Sequence, residues 1–425
     1  QFIGRNHVVT FPVGSDGGRQ AGPRILAYCH DGVGLGHLRR TLNICERVAA
    51  DRPEATFLIA TGNPYISLFS PLARVDYLKL PSLRKLDNDV YEAKFLAMDP
   101  ERVLHYRESL LLETARHFEP HVVLVDKAPV GVCGELVPTL CWLRRNRPDV
   151  RIVFGMRDIE DDPESTIRQW AKLNVSSMLE QYYDEVWVYG MRSLFDVATE
   201  YKLSSDVRSK VRFVGYVANQ PCEHESANGA GQTSPGASGR RPKVLVTVGG
   251  GTDGGELLRT YLADAARRVA AMGGASVIVA GPDLPTEQSE ALKAAAATVP
   301  HIDWIRFAPC MSCRIREADA VVCMGGYNTL CEVVRNGKPV LVVPRTHPRL
   351  EQTMRARLWS QRGVVDVLER ESMTPASLAE RLSALIQRRR STDPTGLDFG
   401  GVERVCDRIG AMLNGGVTHA SAVSM

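Results

Sequence analysis

Two runs of short apolar segments, each alternating with amphipathic stretches of helix length, are separated by a tract in which periodicity stops. The first run starts at Arg24 with RILAYC. It continues through a helical pattern from Leu38 to Ala50, TFLIAT, ARVDYLKL, a helical pattern from Pro100 to Phe118, HVVLVD, a third near Cys133 to Arg145, RIVFGM, a fourth from Pro163 to Gln181, EVWVYG and VRFVGY. The second run is KVLVTV, a helix from Gly255 to Ala271, SVIVAG, a helix from Thr286 to Thr298, IDWIRF, AVVCMG, PVLVVP and GVVDVL. Parallel neighbours need a crossover connection, and strands covered on both faces read as continuous apolar runs. The expected fold class is therefore α/β, with two Rossmann-like doubly wound domains facing a central cleft. The tract between them, ANQPCEHESANGAGQTSPGASGRRP, has linker composition. The boundaries read as an N-terminal tail 1–23, a first domain 24–217, a linker 218–242, a second domain 243–413 and a C-terminal tail 414–425. The helical pattern from Val402 to Leu413 either closes the second domain or crosses back to brace the first.

Composition narrows the functional classes. A chain of 425 residues exceeds one ordinary core, which supports two domains. The net charge is only +3 with both signs interspersed, so there is no electrostatic footprint for nucleic acid; the basic run Arg388 to Arg390 reads as a solvated helix end. Ten cysteines are scattered, several inside apolar segments, such as Cys29, Cys133 and Cys323, and fit a reducing compartment. Cys310 and Cys313 form a C-x-x-C with no second pair or nearby His, so the spacing reads as coincidental and no metal site is expected. The N-terminal stretch lacks an apolar segment of signal-peptide length, and no segment approaches a membrane span. The expected location is cytoplasmic.

Three glycine-rich turns follow strands. In HDGVGLGHLRR, Gly34, Gly36 and His37 stand at a helix N-terminus beside the expected cleft. The turn has neither the Lys-Ser/Thr of a P-loop nor the third glycine of a dinucleotide fingerprint. His37 is read either as a general base or as a cap that touches a phosphate. The second turn, VTVGGGTDGGELL, fits G-x-G-x-x-G through Gly249, Gly251 and Gly254, with Asp283 beyond. It suits a dinucleotide enzyme, or close approach to any diphosphate. The third, MGGYNTLCE, breaks a strand at Gly325 and Gly326 and starts a helix at Asn328 and Thr329. Free amides and the positive end of the helix dipole make it an anion seat. Glu332, one turn on, can accept from two ribose hydroxyls, and Glu351 and Gln352 after the next strand can hold a second polyol. Diphosphate, ribose and sugar together describe a nucleotide sugar. Asp126 ends one strand and Arg157 and Asp158 end the next, at the end of the sheet where charges line a cleft. A helix N-cap at Asp158 or Asp162 is the alternative.

These motifs resemble those of GT-B glycosyltransferases, most of all the MurG-like family with its family 28-type C-terminal domain. The likeness runs from Arg24 to Leu385, through HDGVGLGHLRR, VTVGGGTDGG and MGGYNTLCEV. It implies that Glu332 binds the ribose and that Glu351 and Gln352 bind the donor hexose. It also implies that the backbone around Ile305 to Ala308, including Phe307, holds the base, and that His37 takes a catalytic or phosphate-side role; Asp126, from its place at a strand end, is the other catalytic candidate. Gly250, Gly251, Thr252 and Arg345 complete the donor set, with His347 and Arg349 also near the leaving group; Gly34, Gly36, Arg157 and Asp158 form the acceptor side. Tyr327 and Asn328 depart from the small residues usual in that turn. Retaining members often carry a second glutamate eight positions before the first, where this chain has Met324. The resemblance thus implies an inverting, metal-independent transfer of a hexose or amino-hexose from a nucleoside-diphosphate sugar, UDP favoured, to a hydroxyl acceptor, with no cofactor.

The competing readings are a sugar-nucleotide 2-epimerase, an NAD-dependent enzyme built on the Gly249 loop, and a sugar-nucleotide sensor. The stretch from Pro81 to Met98 reads as an irregular loop shaping the acceptor site. Its Leu and Phe side chains either pack locally or touch a membrane or lipid acceptor.

Overall fold

The computed structural model describes residues 22–30, 35–69, 73–87, 90–218, 241–308, 310–388 and 396–415. The strands of the first domain are β1 (Arg24–Cys29), β2 (Thr56–Thr61), β3 (Val75–Lys79), β4 (Leu83–Asp87), β5 (Val90–Ala93), β6 (Val122–Asp126), β7 (Arg151–Arg157), β8 (Glu185–Tyr189) and β9 (Val211–Phe213). Seven of them form a sheet in the order β3-β2-β1-β6-β7-β8-β9. The second domain contributes β10 (Lys243–Thr247), β11 (Ala275–Val279), β12 (Ile302–Ile305), β13 (Ala320–Cys323), β14 (Val340–Val342) and β15 (Asp366–Val367), ordered β12-β11-β10-β13-β14-β15. Every pairing in both large sheets is parallel. Central strands such as β6, VVLVD, are buried along their whole length, as helices on both faces require.

Helix boundaries follow local chemistry. Asp99 accepts from the amides of Glu101 and Arg102, and Pro100 supplies the first turn of the helix Pro100–Phe118. Asp162 plays the same part for Pro163–Lys172 by accepting from Ser165. The pattern read as one helix from Pro163 to Gln181 is instead two, because Asn174 takes a left-handed conformation before Val175–Tyr182. The stretch read as an irregular loop, Pro81 to Met98, contains the antiparallel pair β4–β5. The sequence signal there is weak because the strands are short and polar.

The strand order reverses between β1 and β6 in the first sheet and between β10 and β13 in the second. Loops diverge at such a switch point and leave a crevice at the carboxyl ends of the strands. The described ends of the first glycine-rich turn, the other two turns, and Asp126 stand at these two points.

The domains share one continuous core cluster, which includes Trp187, Tyr189 and Tyr216 from one side and Tyr327 and Trp359 from the other. Tyr327, which departs from the small residue usual in its turn, fills this junction. Its hydroxyl donates to the Tyr189 carbonyl at 2.9 Å and accepts from the Val217 amide at 2.9 Å. Arg355 of the second domain grips Asp158 of the first at 2.7 and 2.9 Å, both buried. The last helix, Gly401–Gly415, crosses back to the first domain. It packs Val402, Val405, Cys406 and Ile409 into the cluster that holds Cys45 and Val48 of the helix Gly36–Asp51, and Arg408 pairs with Glu185 at 2.7 Å.

Removing one member of a buried ion pair strands the other charge, whereas replacing both by apolar groups is close to neutral. Arg355→Met should therefore lower stability by about 3 kcal/mol, and adding Asp158→Leu should restore much of that loss. Denaturant midpoints of the single and double variants check this; equal midpoints for wild type and Arg355→Met would contradict it.

Candidate active site

The cleft between the domains is lined from the first domain by Leu35, Gly36, His37, Arg39, Arg40 and Arg157. From the second come the loop Gly249–Asp253, the segment Arg306–Ala308, the helix start Gly326–Thr329, and Glu332, Arg345, Glu351 and Gln352. Gly34 lies outside the described residues.

His37 sits in the first turn of Gly36–Asp51, and its Nδ1 is 2.6 Å from Oδ2 of Asp126 at the end of β6. Arg40, one turn further along that helix, donates to the other carboxylate oxygen from Nη2 at 2.6 Å and from Nε at 3.1 Å. Burial pushes the Asp126 carboxyl up, but the Arg40 guanidinium, and His37 after it, bring it down to about 2. An ionised carboxylate at 2.6 Å needs a proton on Nδ1. The 2.9 Å approach of Arg40 Nη2 to the same nitrogen is then a cation contact rather than a hydrogen bond. Burial lowers the imidazole to about 4 against the opposing pull of Asp126, and Arg40 adds to the lowering. At neutral pH the ring is therefore uncharged, with Nδ1–H held by Asp126 and the Nε2 lone pair available to the cleft. That is the arrangement of a general base with its orienting carboxylate.

Opposite stands the anion seat. Gly326 caps the helix Tyr327–Arg335, and a Cβ there would meet nothing within 4 Å, so an incoming group can approach the backbone. Asn328 Nδ2 donates across the cleft to the Gly36 carbonyl at 2.8 Å, which ties the seat to the residue before His37. Gly251 has φ +101°, and a Cβ on it would stand 2.5 Å from the Ala280 carbonyl. Only glycine therefore lets the loop Gly249–Asp253 lie where it does. Glu332 is buried and accepts from Ser312 Oγ at 3.3 Å. Arg39 Nη2 reaches the Ala308 carbonyl at 2.8 Å and its guanidinium lies over the Phe307 ring.

At the far end Glu351 accepts from Arg345 Nη2 at 2.7 Å, and its Oε2 is buried without a partner. Arg345 also binds Asp253 at 2.9 Å, and the Arg345 amide donates to Gln352 Oε1 at 3.3 Å. Arg157 joins this end, 3.8 Å from Glu351. His347 and Arg349, expected beside the leaving group, do not line the cleft, and Arg349 faces Glu160.

Two expected site residues have other work. Asp158, read as acceptor-binding or as a cap, is neither; it is held in the domain junction by Arg355. Gly325 does not line the cleft and serves the turn, with φ +86° and a would-be Cβ 2.9 Å from Val342 Cγ1. Sequence reasoning missed Arg40 and Arg39, although both stand in the quoted HLRR. A basic pair on a helix reads as a solvated face until the sheet partner is known. Among the described residues no group of three or more His, Cys, Asp or Glu side chains is placed to hold a metal ion.

Residues 244–396 match the model of the glycosyltransferase family 28 C-terminal domain. That match falls on the second domain and covers about a third of the chain. Among curated proteins the chain is similar to the UDP-N-acetylglucosamine–N-acetylmuramyl-(pentapeptide) pyrophosphoryl-undecaprenol N-acetylglucosamine transferase of Cronobacter sakazakii. The two are 30% identical over 146 residues, 34% of this chain and 40% of that protein. The chain spans from about a fifth to two fifths of the length of the curated relatives it matches. Among solved structures, the glycotransferase of kitacinnamycin superposes with a TM-score of 0.59 at 15% identity, over 93% of this chain and 100% of that one. A Listeria monocytogenes chain described as a UDP-N-acetylglucosamine 2-epimerase does so with 0.59 at 12%, over 94% and 97%. The fold is GT-B.

Because the folded-state value of His37 lies below the ordinary one near 6.5, stability gained by keeping the ring neutral is fully present above about pH 6.5. It is lost as pH falls through about 4. NMR titration should show the His37 ring neutral, Nδ1-protonated, down to about pH 4; a midpoint near 6.5 would contradict the geometry.

Proposed function

We propose that this protein is an inverting, metal-independent glycosyltransferase. It moves a hexose or amino-hexose from a nucleoside-diphosphate sugar, with UDP favoured, to a hydroxyl acceptor held by the first domain. The observation that carries the reading is the His37–Asp126 dyad, one residue from a carbonyl that the anion seat itself contacts. In this reading the neutral Nε2 of His37 takes the acceptor proton as the oxygen attacks the anomeric carbon, and Asp126 stabilises the imidazolium that forms. The charge on the departing diphosphate falls on the amides of the Gly249–Asp253 loop and at the start of Tyr327–Arg335. Glu332 accepts from the ribose, the segment Arg306–Ala308 flanks the base, and Glu351 Oε2 and Gln352 accept from the sugar. Met324, eight positions before Glu332, supports inversion, because the second glutamate common in retaining members is missing.

The acceptor side carries Phe95, Leu96, Met98 and Tyr106 exposed in one short stretch of the first domain, with Phe95 69% exposed. No helix among the described residues is long and apolar enough to cross a membrane. We assign this patch to peripheral contact at the cytoplasmic face of a membrane bearing a lipid-linked acceptor. Phe95→Asp should then reduce co-sedimentation with anionic lipid vesicles several-fold and leave the melting temperature unchanged; undiminished sedimentation would remove the assignment.

His37→Ala should lower kcat by roughly 10²–10⁴-fold, and Asp126→Asn should do so to a similar degree, since general-base catalysis contributes on that scale. UDP at about a hundred times its Kd should still stabilise both variants by about 2.7 kcal/mol. Thermal shift against a panel of nucleoside diphosphates, followed by measurement of UDP release, checks both points. Release that requires an acceptor separates transfer from 2-epimerisation, and an unchanged kcat in His37→Ala would sink the role of the dyad.

A further inference from the structure

The C-x-x-C that sequence spacing alone leaves as coincidence has a definite place in the fold. Cys310 caps the helix Met311–Glu317 and Cys313 lies in its first turn. Their sulfurs are 3.0 Å apart, and the Cys313 amide donates to Cys310 Sγ at 3.4 Å. A disulfide needs about 2.05 Å between sulfurs, so closure asks for a movement of only about 1 Å. Both residues are partly exposed, unlike Cys29, Cys45, Cys323, Cys331 and Cys406, which are buried. The guanidinium of Arg39 lies within Coulombic reach of Cys310, and the thiolate is the form that attacks a disulfide.

What surrounds the pair matters as much as its spacing. Ser312, between the two cysteines, donates to Glu332. Ala308, two residues before Cys310, offers its carbonyl to Arg39 from the other domain and lines the cleft with Phe307 and Met311. A crosslink here tightens the turn that carries both the base-flanking segment and the hydroxyl that positions Glu332.

We propose that Cys310 and Cys313 form a reversible regulatory disulfide that weakens donor-nucleotide binding. In chemical terms, the Cys310 thiolate attacks an external disulfide such as oxidised glutathione and expels one glutathione thiolate. The Cys313 sulfur then attacks the mixed disulfide and expels the second. The protein loses two electrons and two thiol protons, and one oxidised glutathione becomes two reduced molecules. The effect on the nucleotide rests on the donor reading given above, whereas formation of the bond does not.

The test equilibrates the full chain in glutathione buffers of graded redox potential, maps disulfides by peptide mass, and then measures thermal stabilisation by UDP. A Cys310–Cys313 crosslink should appear under oxidising buffer and reverse under reducing buffer, and UDP affinity should fall about tenfold in the oxidised form. Cys313→Ser and Cys310→Ser should each keep the reduced-form affinity at every potential. Absence of the mapped crosslink, or a crosslinked protein that binds UDP as the reduced one does, overturns the proposal. If UDP stabilises neither form while the crosslink forms and reverses, the coupling to nucleotide is overturned along with the donor reading, and a redox-active dithiol is what remains.

Discussion

The structure depends on two buried guanidinium–carboxylate pairs placed around one aromatic ring. Arg40 holds Asp126 and Arg355 holds Asp158, and both guanidinium carbons lie 5.5 Å from the centre of Tyr327. Buried ion pairs contribute little net stability but are costly to break, so their effect is on uniqueness of geometry. Here the geometry they fix is the relation between the two sheets. A ring from the second domain is anchored to the Tyr189 carbonyl of the first, and the same Asp126 that neutralises Arg40 orients His37. Domain docking and catalytic tautomer therefore share one set of charges.

The chemistry that follows is a division of labour between backbone and side chain. In the function proposed above, negative charge on a diphosphate is met by amides at Gly249–Asp253 and Gly326–Thr329, the loop and helix start that line the cleft. On the same proposal, proton transfer falls to one imidazole, kept neutral by burial and kept in one tautomer by a carboxylate that Arg40 holds ionised. A charged imidazole would be useless as a base, so the desolvation that makes His37 hard to protonate is the same condition that makes it ready at neutral pH.

Much of this was legible in the chain. Parallel strands announce themselves as unbroken apolar runs, and glycine followed by polar residues marks a turn that must meet an anion, so β1, β6, β10, β13 and their loops could be placed from residues alone. The resemblance to GT-B enzymes gave His37 a catalytic or phosphate-side role, and its pairing with Asp126 appeared only in the structure. What stayed hidden needed the third dimension. Asp158 looked like a cleft residue because it ends β7, yet its partner Arg355 lies 197 positions away in a helix of the other domain. The strands β4 and β5 are short, LRKLD and VYEA, and without an unbroken apolar run read as loop. The final helix is amphipathic in a way that suits either domain, and only the apolar face of Gly36–Asp51 around Cys45 and Val48, which it covers, decides between them.

That final helix changes what kind of motion the two lobes can make. The chain passes into the second lobe after Ala218 and comes home near Asp398, where the Tyr216 amide donates to the Asp398 carbonyl at 2.7 Å and the Gly401 amide donates to the Tyr216 carbonyl at 3.2 Å. The outbound and return segments are thus laced together around Tyr216, with Arg404 also donating to the Val214 carbonyl. A lobe tied back by a second, hydrogen-bonded crossing has fewer independent ways to shift against its neighbour than one joined by a single connection. The second crossing therefore adds to the shared core and the Arg355–Asp158 pair in fixing how the lobes face one another.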